Sequence, residues 1–557
     1  MVERASRRVT GLAGAAMAAV VLAAAGTAAP VISPQLTASA KAAPQAPGPQ
    51  VPSGVRIVGA QWQSDRQVDV TVHSAVMNAD VKVQLLLARD WYARPKAAFP
   101  TLYLLDGLRA RDDRNGWLIN TNVADFYRDK NVTVVLPVGG QSSWYTNWKQ
   151  PDNGKNYQWE TFLTSELPPV LQRDWRATTV RGVAGVSMGG SAAYMLAGRH
   201  PRFYRFAGSY SGILSMSSTG MPTAIATAMR DAGNYDANKM FGPESSPEWA
   251  AHDPLKLADK LRGTSLYFSS GNGESPTNAQ PDLSGTALEI LSRASNQAFA
   301  VQLNKLGIPA QAIYRPSGIH SWPYWQFEDA QAWPQAQAAL GVGNPAACKP
   351  GGAIGVAALQ SKSLGACITP EYAVKGGRAQ DFRGGQVFWS QATGAHIVGG
   401  AIAGEYARQG GPAGTLGYPT SDELASPDKK GRYQKFQGGT VYWTAATGAH
   451  SVGGAIFAKW GSQGYERGKL GYPVTSETKL AGGGAFTRFT GGSIYWSPKT
   501  AATVVPNGPV FDAWGKAGYE GGRLGYPVLD PLPVPGGVLM RFQHGTISSV
   551  NGKTSVQ

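Results

Sequence analysis

Between about Val55 and Leu340, short apolar runs alternate with longer stretches of helical spacing. TLYLLDG (101–107), VTVVLPVGG (132–140), GVAGVS (182–187) and SLYFSSGNG (265–273) are largely apolar and bounded by turn residues. Such runs suit strands covered on both faces of a parallel sheet. SAAYMLAGRH (191–200) and ALEILSRASNQAFAVQLNKLG (287–307) carry helical periodicity, and Gly307 stops the second. Alternation of the two patterns predicts an α/β sandwich.

After Gly343 the texture changes. LGYP recurs at 416–419, 470–473 and 524–527, 54 residues apart each time, and TGAHIVGGAI at 393 returns as TGAHSVGGAI at 447. Trp389, Trp443 and Trp496 close the related runs GGQVFW, GGTVYW and GGSIYW. Self-similarity at a fixed period marks a repeat module. Each unit reads as a β-hairpin, a helix ending near Gly410, Gly464 or Gly518, and a turn at LGYP. In the last copy TAATVVPNGPVFDAW replaces the TGAH segment, as in a capping repeat. The organisation expected is a signal peptide over 1–40, a Pro- and Ala-rich linker over 41–54, an α/β domain over 55–343, a linker over 344–380 and repeats over 381–557.

Several features refine this picture. Arg4, Arg7 and Arg8 precede an Ala/Val/Leu-rich run, and TAA before Pro30 and ASA before Lys41 offer small-residue cleavage sites, so the chain is expected to be exported. Left uncleaved, the same run would serve as an anchor. Cys348 and Cys367 are the two cysteines; in an exported protein, 19 residues apart, they predict one disulfide rather than a metal site. The formal charge of +15 suits a soluble basic surface or attraction to an anionic envelope. Without a Lys/Arg run or an aromatic–basic motif, nucleic acid is not expected as a partner.

Gly185-Val186-Ser187-Met188-Gly189 is a G-x-S-x-G between a strand pattern and a helix pattern. In that context the serine stands on a sharp turn above the sheet, and the Met188 N–H at the helix start can stabilise an oxyanion. The base must follow Ser187 in the chain. Of seven histidines, His73 precedes it, His396, His450 and His544 lie in the repeats, and His200 sits on the elbow helix pointing away. His252 reads as surface or structural, which leaves His320, in a loop after the strand-like QAIYRPSG. For the acid, Glu274, Asp282 and Glu289 all follow the strand SLYFSSGNG, and spacing does not choose among them.

Residues 65–340 resemble the secreted mycolyltransferases of the antigen 85 type. The stretches that carry the likeness are YLLDGLRARDDRNGWLINT, PVGGQSSWYTNW, WETFLTSELP, GVSMGGS, AHDPLKL, SGNG and GIHSWPYW. The resemblance implies an α/β-hydrolase fold with Ser187 as nucleophile, His320 as base and Glu289 as its acid. It implies an oxyanion hole from the Leu108 and Met188 N–H groups, and trehalose contacts from Asp106, Arg109, Asn120 and Trp322. For Asp106 and Arg109 the bland alternative is a structural ion pair. Ser270 stands where that family carries a cysteine just before GNG, which bears on acceptor preference and removes no triad member.

The repeats resemble the LGFP type. That likeness implies attachment to wall polymer, arabinogalactan or peptidoglycan. The rings of Trp389, Trp443 and Trp496 read either as module core or as platforms for sugars. Together the resemblances imply an exported, wall-associated acyltransferase acting on trehalose mycolates, without cofactor or metal. A secreted carboxylesterase using water, or a non-catalytic wall-binding protein, are the alternatives.

Overall fold

A computed structural model of the chain describes residues 50–275, 283–344 and 347–557. The expected signal peptide and most of the first linker, like Asp282, lie outside them.

The first region is built on one nine-stranded sheet. Its strands are β1 Arg56–Trp62, β2 Gln67–Ser74, β3 Ala79–Leu86, β4 Phe99–Leu105, β5 Thr133–Pro137, β6 Ala177–Val186, β7 Phe206–Tyr210, β8 Ser265–Ser270 and β9 Gln311–Tyr314. In space they run β1-β2-β3-β5-β4-β6-β7-β8-β9. The first three pair antiparallel and β3 pairs antiparallel with β5. From β5 to β9 every pairing is parallel. β5, β7 and the second half of β6 are buried throughout, as expected for strands covered on both faces. One apolar core, with Tyr194, Phe268 and Phe299, lies under the helices Met188–Arg199 and Leu283–Leu306. A second, with Trp117, Trp325 and Trp333, lies under the helix Trp322–Ala339 on the other face. This is an α/β-hydrolase sandwich.

The elbow helix Met188–Arg199 is buried from Met188 to Gly198 because its first turns are made of small residues. A Cβ at Gly185 would lie 2.5 Å from the Gly189 backbone, and one at Gly189 would lie 2.5 Å from the Asp106 carbonyl oxygen. Only glycine lets backbone pack on backbone so closely.

The repeats form four antiparallel four-stranded sheets, one more than the three LGYP copies announce. The first runs through Tyr372–Val374, Gly377–Phe382, Gly385–Ser390 and Gly394–Val398, and the helix Gly352–Gln360 packs on it. This first module therefore starts inside the stretch 344–380, which the sequence reading assigned to a linker. Its counterpart of LGYP is Leu364-Gly365-Ala366-Cys367, and Cys367 bridges to Phe382 as Pro419, Pro473 and Pro527 bridge to Phe436, Phe489 and Phe542. Cys348 and Cys367 form the disulfide, which ties that position to the incoming chain.

The LGYP tyrosines explain the substitution at Ala366. Tyr418 donates its hydroxyl proton to the Lys375 carbonyl at 2.8 Å, in the first hairpin of the preceding module. Tyr472 reaches Ser426 and Asp428 in the same way, and the Tyr526 hydroxyl lies against Gly484. Each tyrosine plugs the hairpin of the module before it. The first module has no such predecessor, so a tyrosine there would have nothing to fill. Trp389, Trp443 and Trp496 are half-buried and pack against the module cores.

The first module is fastened to the hydrolase by ion pairs, the central one buried. Arg66 meets Asp381 at 2.5 Å and donates to the Ala88 carbonyl, while Asp381 also accepts from Tyr372 and Gln386. Arg128 bridges Asp65 and the Phe382 carbonyl, and Arg383 pairs with Asp129 at 2.7 Å. These hydrolase residues sit where β2 and β5 start, the end of the sheet away from Ser187.

Candidate active site

Ser187 follows the last residue of β6 and precedes the first of the elbow helix. Its backbone is held at φ 52° and ψ −120°, a conformation that non-glycine residues rarely adopt. The Ser187 N–H donates to the Tyr210 carbonyl at the end of β7, which fixes the strained turn. The side chain is thereby carried above the C-terminal edge of the parallel strands.

His320 lies in the loop between β9 and the helix Trp322–Ala339. Its Nε2 is 2.7 Å from Ser187 Oγ, and its Nδ1 is 3.0 Å from Glu289 Oε2. Glu289 is 1% exposed. Its other oxygen accepts from the Gly271 N–H at 2.5 Å and from the Ser211 hydroxyl at 2.8 Å. A carboxylate can only accept, so Nδ1 carries the ring proton and Nε2 faces the serine as an acceptor. The Trp325 ring packs edge-on against His320 at 5.0 Å. This is the hydrogen-bonded order a weak hydroxyl nucleophile needs.

The structure thus joins Ser187, His320 and Glu289, residues separated by up to 133 positions. Glu274 is not part of this chain of bonds. His200 is bound to Glu160 at 2.8 Å. His252 is buried, bonded to the Glu248 carbonyl and stacked on Phe241, and burial lowers its pKa. Ser211 carries no signal in the sequence, yet it ties two elements to the acid. Trp325 Nε1 donates to its oxygen at 3.0 Å, so its own proton goes to Glu289.

Met188 is the first residue of the elbow helix, where a backbone N–H has no intrahelical acceptor. Leu108 lies in the loop three residues beyond β4, the strand beside β6, and its carbonyl accepts from the Ser142 N–H. Both are partly or fully covered by the apolar core around the elbow.

The four residues expected to contact sugar divide into two groups. Asp106, Asn120 and Trp322 gather around the helix Gly116–Asn120. Asp106 accepts from the Gly107 and Gly116 N–H groups at 2.7 and 2.6 Å, and burial pushes its carboxyl up to about 6. A Cβ on Gly116 would lie 2.5 Å from both Asp106 Oδ1 and Trp322 Cζ2, so this glycine lets the ring and the carboxyl share one wall. Asn120 is exposed, with its amide donating to the Gly116 carbonyl. Arg109 stands apart, exposed and paired with Asp231 at 2.7 Å. Its ion-pair partner is Asp231 and not Asp106.

A fold of this topology with a serine elbow and a buried acid–histidine pair defines the α/β-hydrolase class of serine esterases and acyltransferases. The esterase family model matches residues 74–334, and the LGFP repeat model matches 364–414, 416–468 and 470–522. Over 281 residues the chain is 40% identical to the diacylglycerol acyltransferase/mycolyltransferase Ag85B of Mycobacterium intracellulare, covering 49% of this chain and 83% of that protein. It is 42% identical over 278 residues to Ag85A of Mycobacterium tuberculosis, covering 48% and 80%. Among solved structures it is similar to MPT51 of Mycobacterium tuberculosis, with 29% identity, a TM-score of 0.42, and 48% and 95% covered. The chain belongs to the antigen 85 family of diacylglycerol acyltransferases/mycolyltransferases, here followed by LGFP repeats. The first LGFP match begins at 364, inside the first module described above. Among the described residues no helix is long and apolar enough to cross a membrane.

Proposed function

We propose that the chain transfers mycoloyl groups from trehalose monomycolate to a second trehalose monomycolate or to wall arabinogalactan through an acyl-enzyme on Ser187. Ser187 Oγ attacks the ester carbonyl carbon while His320 Nε2 takes its proton. The oxyanion is held by the Leu108 and Met188 N–H groups. The carbon–oxygen bond to trehalose then breaks, and His320 returns the proton to the departing sugar oxygen. A hydroxyl of the acceptor repeats these steps in reverse order, with His320 as its base, and Ser187 is regenerated. Glu289 orients the imidazole and offsets the charge it gains.

The observation that carries this reading is the unbroken bonding from Ser187 through His320 to Glu289, in a region of 281 residues that is 40% identical to a named mycolyltransferase. Asp106, Asn120 and Trp322 form the sugar wall, with Arg109 at its margin. The repeats hold the exported enzyme to wall polysaccharide. Incubation with a labelled mycoloyl ester, followed by peptide mass analysis, tests the covalent step. The label is expected on the peptide that contains Ser187; a label on another residue would contradict the assignment, as would strictly sequential initial-rate patterns.

A further inference from the structure

The joint between the first and second repeat modules carries an open, shallow cleft of about 570 Å³. That volume lies in the range of small-molecule sites rather than packing faults. Its polar lining is Lys375, Ser390, Gln391, Thr415 and Gln437, with Tyr418 at its base. Pro412 and Ala392 add short apolar surfaces beside a backbone rich in glycine.

The joint is fixed from both sides. The Tyr418 hydroxyl donates to the Lys375 carbonyl, and its N–H donates to Gln437 Oε1 at 2.8 Å. The cleft is therefore formed before any ligand arrives. Its chemistry is amide, hydroxyl and backbone groups beside small apolar faces, with one cation and no carboxylate. A divalent cation finds no acidic ligand there, and a polyanion finds a single charge. Ser390 is bonded to Thr393, Thr415 donates to Gln409, and Gln437 accepts from Tyr418, so the Lys375 ammonium, the Gln391 amide and the glycine backbone are what the cleft offers to the hydroxyls of a saccharide chain, beside small surfaces for its C–H faces. The Trp389 and Trp443 rings are half-buried and pack on one side against the module cores.

We propose that this inter-module cleft is a saccharide-binding site, and that wall polymer is read there rather than on the tryptophan rings. The proposal rests on the reading that the repeats hold wall polysaccharide, and it names the surface and the ligand class. The strand Gly377–Phe382 starts beside the cleft and ends at the carbonyl that Arg128 of the hydrolase grips. Six residues of strand span about 20 Å. A ligand in the cleft therefore stays clear of Ser187.

The test uses the whole mature chain, in sedimentation with purified arabinogalactan and, separately, with peptidoglycan. Two variants alter the cleft: Ala392→Trp fills it, and Lys375→Ala/Gln391→Ala strips its polar groups. Ala392, Gln391 and Lys375 are exposed, and circular dichroism and melting check that the variants fold. The proposal expects binding to one polymer, which identifies the source, weakened by about tenfold or more in both variants. Hydrolysis of a soluble ester should be unchanged by the variants and by saturating oligosaccharide from that polymer. Equal retention of wild type and variants would overturn the cleft while leaving wall attachment standing. Failure of the wild type on both polymers would overturn wall attachment and the cleft with it.

Discussion

The Ser211 hydroxyl donates to Glu289 at 2.8 Å while accepting from Trp325 at 3.0 Å. Glu289 comes from the helix Leu283–Leu306 and Trp325 from the helix Trp322–Ala339, so one small side chain at the end of β7 ties both helices. With one Glu289 oxygen held by Ser211 and Gly271, the other is left for His320. Ser211→Ala should lower kcat by about tenfold, in keeping with one lost hydrogen bond to a charged group. It should move the acid limb of the pH–rate profile, and Ser211→Thr should restore much of the loss. An unchanged profile with reduced stability would make Ser211 a purely structural residue.

Substitutions in the triad should act as a unit. Ser187→Ala and His320→Ala are each expected to remove about three orders of magnitude or more of kcat, and the double variant little beyond either. Glu289→Gln keeps the shape but permits the wrong imidazole tautomer, so a large loss is expected there too. Steady-state kinetics on a soluble mycoloyl or shorter acyl ester read all four.

Gly116→Ala puts a methyl group within 2.5 Å of Asp106 and Trp322. Either the ring or the carboxyl must move. If these groups bind the sugar, KM for trehalose monomycolate should rise severalfold, while turnover of a simple acyl ester lacking trehalose changes little. Equal losses on both esters would argue against a sugar wall.

Asp329 lies buried between the hydroxyls of Tyr127 and Tyr210, and burial pushes its carboxyl from 3.8 up to about 7. A raised folded-state pKa means that the folded chain holds a proton the unfolded chain releases. This contribution is fully present below about pH 4 and is lost as pH rises through about 7. Asp329→Asn does not ionise, so its stability relative to wild type should grow between pH 4 and pH 8. The gain has a ceiling of about 4 kcal/mol. Denaturant melts at the two pH values measure it; a gain that shrinks with rising pH would contradict the sign.

Arg66 and Asp381 are both buried at the joint between hydrolase and first module. Asp381→Asn removes the nearer carboxylate and leaves the buried guanidinium with Asp65 at 3.8 Å, and should cost about 2 kcal/mol or more. Arg66→Met added to it should recover most of that loss. A chain cut near Gly343 would also open this surface to water, so such a fragment is expected to melt below the full chain.

Much of this architecture was legible in the residues. Apolar runs marked the parallel strands, and the period of 54 exposed the modules. Elimination among seven histidines left His320: chain order removed His73, the repeat boundaries removed His396, His450 and His544, and the placement of His200 on the elbow helix and the structural reading of His252 set those two aside. Glu289 was different: three carboxylates follow β8, and only the family resemblance chose between them. The choice is three-dimensional, because Glu289 meets His320 across a helix face that spacing does not fix. Ser211 was invisible because a lone serine after a strand has no pattern. The first module was missed because its motif reads LGAC: the tyrosine that plugs a preceding hairpin has no hairpin there to plug. For Asp106 only the resemblance implied a sugar contact, and the structure shows the carboxyl buried and holding two backbone N–H groups.

The most direct measurement is product analysis with purified mature protein and trehalose monomycolate, beside Ser187→Ala, by thin-layer chromatography and mass spectrometry. Trehalose dimycolate formed by the wild type and absent from Ser187→Ala is the expected result. Equal dimycolate from both proteins would contradict a Ser187 acyl-enzyme, and free mycolic acid as the sole product, with arabinogalactan also supplied, would contradict acyl transfer.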